Sequence, residues 1–297
     1  MSFTLVLNTQ NAVGTGNNTY KYNFIQGMFN IPPDSEVMIA NVQIPYSFYN
    51  ITAAYNNNKF QFSFPTGSST YATSTITIPD GFYTTTSLNY YIQQFMISNG
   101  YYLVNGSGQN VYYYTIQYNS YQYGNQVLAY LVPTSLPTGY SLPSGYTTGT
   151  IFGGNGFPTV SRTPYITILN NNFGTYLGLT AGNYPTAGYT QSYSANSSIT
   201  PVGSTVNSII IRCSLVDNKV GIPMDILDSF TIGGTSFGAN INYAPTVPKW
   251  VKLSTGSFSN FYITFCDQNL NLLAALDNNI LITLLFKLGQ PKLLRND

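Results

Sequence analysis

Only one stretch of this chain repeats its apolar residues clearly at the helical period. Leu88, Tyr91, Ile92, Phe95 and Met96 fall at i, i+3, i+4, i+7 and i+8, a single stripe at the 3.6-residue repeat. The preceding Thr84-Thr85-Thr86-Ser87 cluster supplies N-caps, and Asn99-Gly100 supplies a left-handed stop. This helix is expected to lie on a β-sandwich as a lid over one edge or end. A weaker helical pattern spans 270–276, where Asn269 and Asn271 favour a loop. Elsewhere, short runs of β-branched and aromatic residues alternate with clusters of Gly, Pro, Asn and Ser. That is the pattern of an all-β sandwich or barrel.

The clearest strand runs are 3–7, 20–24, 37–44, 60–64, 75–78, 111–118, 127–132, 165–169, 208–215, 229–232, 250–253, 261–266 and 280–286. In Lys59-Phe60-Gln61-Phe62-Ser63-Phe64 the alternation is strict, which predicts one buried and one wet face. The run 280–286 is apolar almost throughout, as for a strand covered on both sides or set in an interface.

Charge constrains the surface. Asp, Glu, Lys and Arg make up 6% of the 297 residues, against about 25% in an ordinary soluble domain. Polarity comes instead from Asn, Gln, Ser, Thr and Tyr, whose amides and hydroxyls are easier to desolvate than ions. A net charge of +1 adds little repulsion between copies. Such a surface suits a subunit of a permanent assembly. Between Asp80 and Arg212 the only charged residue is Arg162, and the interval is rich in Gly, Tyr, Ser, Thr and Pro. The expected organisation is a sandwich made of 1–106 and 206–297, with 107–205 forming an insertion of short strands or a set of long loops.

Catalytic material is scarce. The chain has no histidine and one glutamate, Glu36, which removes His-dependent triads, proton shuttles and metal ligands. Asp217, Asp225, Asp228, Asp267 and Asp277 leave only an aspartate-pair hydrolase open, and turn aspartates are the expected reading. The segments at Asp267 and Asp277 lack the acid-rich spacing of a calcium loop. Gly153-Gly154-Asn155-Gly156 lacks the Lys-Ser/Thr of a phosphate loop. No catalytic residue, cofactor or metal is expected.

Basic residues are too few for a nucleic-acid footprint; the tail residues Lys287, Lys292 and Arg295 read as a solvated terminus or a contact to an acidic partner. Cys213 and Cys266 are expected as buried, reduced thiols. No signal peptide opens the chain and no apolar run is long enough to span a membrane, so cytoplasmic synthesis and assembly are expected.

Tyrosines are the candidate interaction residues. Tyr112, Tyr113 and Tyr114, with Tyr118, Tyr121 and Tyr123, offer large rigid rings with a hydroxyl at the tip. Protein interfaces are the first expectation for them, and receptor or glycan binding by the middle segment the second.

Three motifs carry a family resemblance. A strand ends in Ile44-Pro45-Tyr46-Ser47-Phe48-Tyr49-Asn50-Ile51, with Pro45 unable to donate to a neighbour. Ile78-Pro79-Asp80-Gly81-Phe82-Tyr83 makes a turn that runs into the Thr-capped helix. Later, Phe173-Gly174 is followed by Leu177-Gly178-Leu179, and a closing pair of strands brackets Asp267 and Asp277. Together they resemble the penton and minor capsid proteins of DNA viruses with double-jelly-roll major capsids, such as giant viruses, virophages and polinton-like viruses. The resemblance implies a single jelly roll, a homopentamer at each fivefold vertex, and an outward insertion. It also implies the major capsid protein and other minor capsid proteins as partners, and brings no catalytic residues. Two further readings stay open: a cement protein between capsomers, and a carbohydrate-binding adhesin.

Overall fold

A computed structural model describes residues 1–219 and 221–290. The chain forms two compact units, one from 1–48 with 206–297 and one from 49–205. In chain order, β1 (Ser2–Leu7), β2 (Thr19–Asn23), β3 (Phe29–Ile31) and β4 (Glu36–Pro45) come first. The second unit follows with β5 (Lys59–Pro65), β6 (Tyr71–Thr77), α1 (Thr85–Ser98), β7 (Tyr102–Val104) and β8 (Asn110–Tyr112). It continues through β9 (Tyr114–Asn119), β10 (Gly124–Ala129), the single kinked turn α2 (Ile151–Gly154) and β11 (Tyr165–Ile168). It ends with α3 (Phe173–Leu177), β12 (Gly182–Tyr184) and β13 (Tyr193–Asn196). The first unit is then completed by β14 (Ser208–Cys213), β15 (Ile226–Thr231), β16 (Asn240–Tyr243) and β17 (Val251–Lys252). Its last strands are β18 (Gly256–Phe258), β19 (Asn260–Asp267) and β20 (Leu281–Lys287).

The first unit is a jelly roll. One sheet runs β1-β20-β4-β16, with β17 also paired to β4, and the other runs β15-β14-β19-β2. Taking its eight main strands in sequence, that order is two interleaved Greek keys. Alternation builds the core, as the sequence pattern predicts. Ile209, Ile211 and Cys213 point inward from β14, Phe261, Ile263 and Phe265 from β19, and Ile282, Leu284 and Phe286 from β20. Phe261 and Phe286, one from each sheet, meet with ring centroids 6.1 Å apart.

Along β4 the inward set shifts parity, from Val37 and Ile39 to Val42 and Ile44. The pairing with β20 slips at that point, and Ala40 is the extra residue of a β-bulge. The alternate residues of β20, Leu281, Thr283 and Leu285, remain half-exposed. Its uniform apolarity therefore does not mean cover on both faces within one copy. Cys213 and Cys266 are free and buried, on neighbouring strands.

The second unit has its own core, with sheets β12-β11-β5-β6 and β13-β10-β9 and the hairpin β7-β8. Strand β5 organises it. Phe60 stacks on Phe173 at 5.0 Å, Phe62 meets Tyr114 edge-on at 5.7 Å, and Phe64 stacks on Tyr101 at 4.3 Å. The face of β5 expected to be wet is closed at Ser63, whose hydroxyl hydrogen-bonds Thr73 at 2.8 Å.

Two expectations are corrected here. Residues 49–106 belong to the second unit, because β5, β6 and the stripe of α1 bury their apolar side chains against residues beyond 107. Helix α1 has the predicted Thr84 cap and Asn99-Gly100 stop, but it packs on β9 of the inserted unit rather than as a lid on the sandwich. The loop favoured for 270–276 is what forms: Leu270 has φ 66°, and Asp267 accepts the amides of Asn269 and Asn271 to make a turn. Lys292 and Arg295 lie outside the described residues. Lys287 pairs with Glu36 at 3.4 Å.

Candidate functional site

The candidate tyrosines separate into core and surface. Tyr113 and Tyr114 are buried. Tyr114 donates to the carbonyl of Tyr184 at 3.2 Å, and burial raises the hydroxyl pKa of both residues. Both serve the core, which removes them from any stacking platform. The three consecutive rings cannot share a face, because the strand breaks at Tyr113 between β8 and β9 and turns both Tyr113 and Tyr114 inward. Tyr112 is half-buried against Tyr102 at 5.9 Å. Tyr118, Tyr121 and Tyr123 are 53%, 98% and 70% exposed.

Tyr118 and Tyr123 stand at one cleft of about 260 Å³ in the inserted unit, whose wall also includes Tyr83, Thr85, Asn125 and Tyr176. Tyr121 is not part of it. The floor is built from fully engaged polar groups. Asn50, which is buried, donates through Nδ2 to the carbonyls of Tyr83 and Gly203, both at 2.7 Å. Its Oδ1 accepts the amide of Tyr83 at 2.8 Å. Tyr176 donates its hydroxyl to the same Tyr83 carbonyl at 2.6 Å, and burial raises its pKa.

Asn125, also buried, accepts from the Thr85 hydroxyl at 2.6 Å and donates to the Leu177 carbonyl at 3.0 Å. Ser197 ties the same corner, accepting the Asn125 amide at 2.7 Å and approaching the Leu177 carbonyl at 2.8 Å. The Phe173–Leu179 motif shapes this corner too. Gly178 caps α3 at φ 77°, where a Cβ would sit 2.5 Å from the Ile199 carbonyl. At Gly174 a Cβ would strike the Leu179 carbonyl.

The Pro79-Asp80-Gly81 motif closes the start of the inserted unit. Gly81 and Ile51 exchange amide–carbonyl bonds at 2.9 and 3.1 Å, and Asp80 accepts the Ala53 amide at 2.8 Å. Of the charged residues, Lys59, Asp80 and Arg162 are the three that lie within 49–205, and none lines the cleft.

A second surface lies at the end of the sandwich where β4 begins. The Asp217 amide donates to the Lys252 carbonyl at 3.0 Å and the Leu253 amide to the Ser35 carbonyl at 2.9 Å. These bonds draw three loops around a broad opening of about 590 Å³. Lys252 pairs with Asp34 at 3.4 Å and Lys219 with Asp217 at 3.8 Å, so its charges are matched. Elsewhere on this unit Ile25 (94%) and Met28 are exposed on the β2–β3 connection, Ile222 (97%) and Met224 on the β14–β15 connection, and Val247 on the β16–β17 connection.

Each described aspartate in the last third has its own structural partner. Asp225 takes Arg212 at 2.9 Å, and Asp228 takes Lys249 at 2.9 Å and the Tyr243 hydroxyl at 2.7 Å. Asp267 and Asp277 accept turn amides. Among the described residues no three His, Cys, Asp or Glu side chains gather where they could hold a metal ion, and no helix is long and apolar enough to cross a membrane.

Fold and site together define a jelly-roll protein with a second, tyrosine-rich β unit inserted between the third and fourth strands of its sandwich. Two solved structures are similar to it along nearly its whole length. One is the mavirus penton protein, at 10% identity, covering 97% of this chain and 100% of that one, with a TM-score of 0.41. The other is a chain of the Sputnik virophage, at 12% identity, 97% of each chain and a TM-score of 0.41. No family model matches the sequence, and no curated protein matches it.

Proposed function

We propose that this chain is a structural protein of an icosahedral virus capsid, and that it closes the fivefold vertices as a homopentamer seated among major capsid proteins. Its site of action is the virion, assembled in the host cytoplasm, and its role needs no catalysis. The observation that carries this reading is the apolar surface left open on the jelly roll. Ile25 and Met28 are exposed together on the β2–β3 connection, and Ile222 and Met224 on the β14–β15 connection, with Ile25 and Ile222 almost wholly so. Exposed apolar patches of this kind mark surfaces that other proteins cover. The half-exposed leucines of β20 add to them.

The motifs of the family resemblance support the same reading by where they fall. Ile44–Ile51 in the sequence joins the third sandwich strand to the insertion, and Pro79-Asp80-Gly81 fastens back onto Ile51. They set architecture rather than chemistry, as a capsid subunit requires. The test is electron microscopy and mass measurement of the purified full-length chain, alone and in native particles. Fivefold rings, or density for the chain at the vertices, are expected. A chain that stays monomeric at every concentration and is absent from vertices overturns the proposal, and its copy number per particle separates a vertex subunit from a cement protein.

A further inference from the structure

We propose that the cleft bordered by Tyr118 and Tyr123 on the inserted unit binds a neutral saccharide. The proposal stands independently of the capsid reading, since it concerns one unit and one ligand class. Three observations carry it. First, the cleft is concave, about 260 Å³, and free of charged side chains. That is close to the lower end of small-ligand sites, which run from about 300 to 1,000 Å³. It has room for one sugar ring.

Second, Tyr118 and Tyr123 present rings that the fold does not use. Both are largely exposed, whereas neighbouring rings such as Tyr83 and Tyr91 are paired with each other at 6.3 Å. Tyr123 moreover sits at φ 44°, in the left-handed region that a bulky residue seldom occupies. Strain of this kind persists where the surroundings enforce it and clusters at ligand sites. Here the enforcing frame is the β9–β10 hairpin, in which Asn119 accepts the Tyr121 amide at 3.1 Å and donates to Asn196 at 3.0 Å.

Third, the backbone of the floor is already satisfied. The Tyr83 amide and carbonyl and the Leu177 carbonyl all have side-chain partners. On the neighbouring strand β9, the Ile116 amide is taken by Asn89 of α1. An extended peptide therefore finds those four groups engaged. What remains are ring faces and hydroxyls, which match the apolar faces and hydroxyl rim of an uncharged sugar.

The experiment uses the full-length protein on an array of neutral and acidic glycans, followed by titration calorimetry with the best neutral oligosaccharide. Tyr118→Ala and Tyr123→Ala should each weaken binding roughly tenfold, while Tyr121→Ala, outside the cleft, leaves it unchanged. Melting temperatures of all three variants check that the fold is intact. Binding only to acidic glycans, no glycan binding at all, equal loss in Tyr121→Ala, or capture of a peptide by these tyrosines instead would each overturn the proposal. Assembly into rings is scored separately, so loss of one reading does not carry the other with it.

Discussion

Asn50 holds the start of the inserted unit and the floor of its cleft with one amide group, so replacing it should loosen that unit selectively. In Asn50→Ala, two donated bonds and one accepted bond disappear. Each contributes about 0.5–1.5 kcal/mol net, and a buried group left without a partner costs about 1–3 kcal/mol more. The Tyr83 carbonyl keeps the Tyr176 hydroxyl, and Gly203 is exposed enough to take water. The main added cost is thus the stranded Tyr83 amide. The sum is about 3–7 kcal/mol, or a fall of roughly 10–20 °C in the melting temperature of a unit this size.

The two units can be read separately. Trp250, the only tryptophan, lies in the sandwich, whereas tyrosine near-UV dichroism draws heavily on the inserted unit. Asn50→Ala should move the dichroism transition and leave the tryptophan fluorescence transition in place. A loss below about 1 kcal/mol, or an equal shift in both signals, would refute the reasoning.

Three further outcomes are expected. Burial, aided by Asp277, pushes the Tyr20 hydroxyl up to about 12. The stability it contributes is full below the ordinary tyrosine range and is lost as pH climbs from about 10 through its folded pKa. Over that window wild type should lose about 2–3 kcal/mol that Tyr20→Phe does not, measured by denaturant titration; parallel pH profiles would contradict it. Gly178→Ala, forced onto φ 77° against the Ile199 carbonyl, should cost at least about 2 kcal/mol in the tyrosine-reported transition, and a neutral effect would argue against this cap geometry. Asp228→Ala removes a buried carboxylate that accepts from the Tyr243 hydroxyl, Lys249 and the Ser229 amide and should cost about 2–3 kcal/mol. Lys249→Ala, at a half-exposed ammonium, should cost about 1 kcal/mol or less, and the reverse ranking in thermal unfolding would count against the described network.

Local signals were legible and long-range closure was not. Helix α1, with Thr84 and Asn99-Gly100 at its ends, follows from spacing and caps alone. The strands β14, β19 and β20 follow from β-branched and aromatic runs. Strands such as Gly182–Tyr184, Tyr193–Asn196 and Asn240–Tyr243 are short and half-polar, so they carry no period. Their pairing is decided by neighbours far away in sequence. The boundary placed at 106 followed a change in composition, but the phenylalanines of β5 choose their core by contact, and that core lies in 49–205. Of the clustered tyrosines, Tyr118 and Tyr123 border the cleft while Tyr113 and Tyr114 enter the core. Strand alternation through Tyr114-Thr115-Ile116 was the available hint that Tyr114 faces inward with Ile116.

The insertion leaves the sandwich once, after Phe48, and returns once, before Val206. The strands on either side, β4 and β14, belong to opposite sheets of the same jelly roll, so a short crossover could replace everything between them. Loop-closure entropy grows only slowly with length, which makes a large passenger at this position thermodynamically inexpensive. In that sense the junction at Asn50 and Ile51 is a clasp that travels with the passenger, because its hydrogen bonds to Tyr83, Gly203 and Gly81 close the inserted unit on itself.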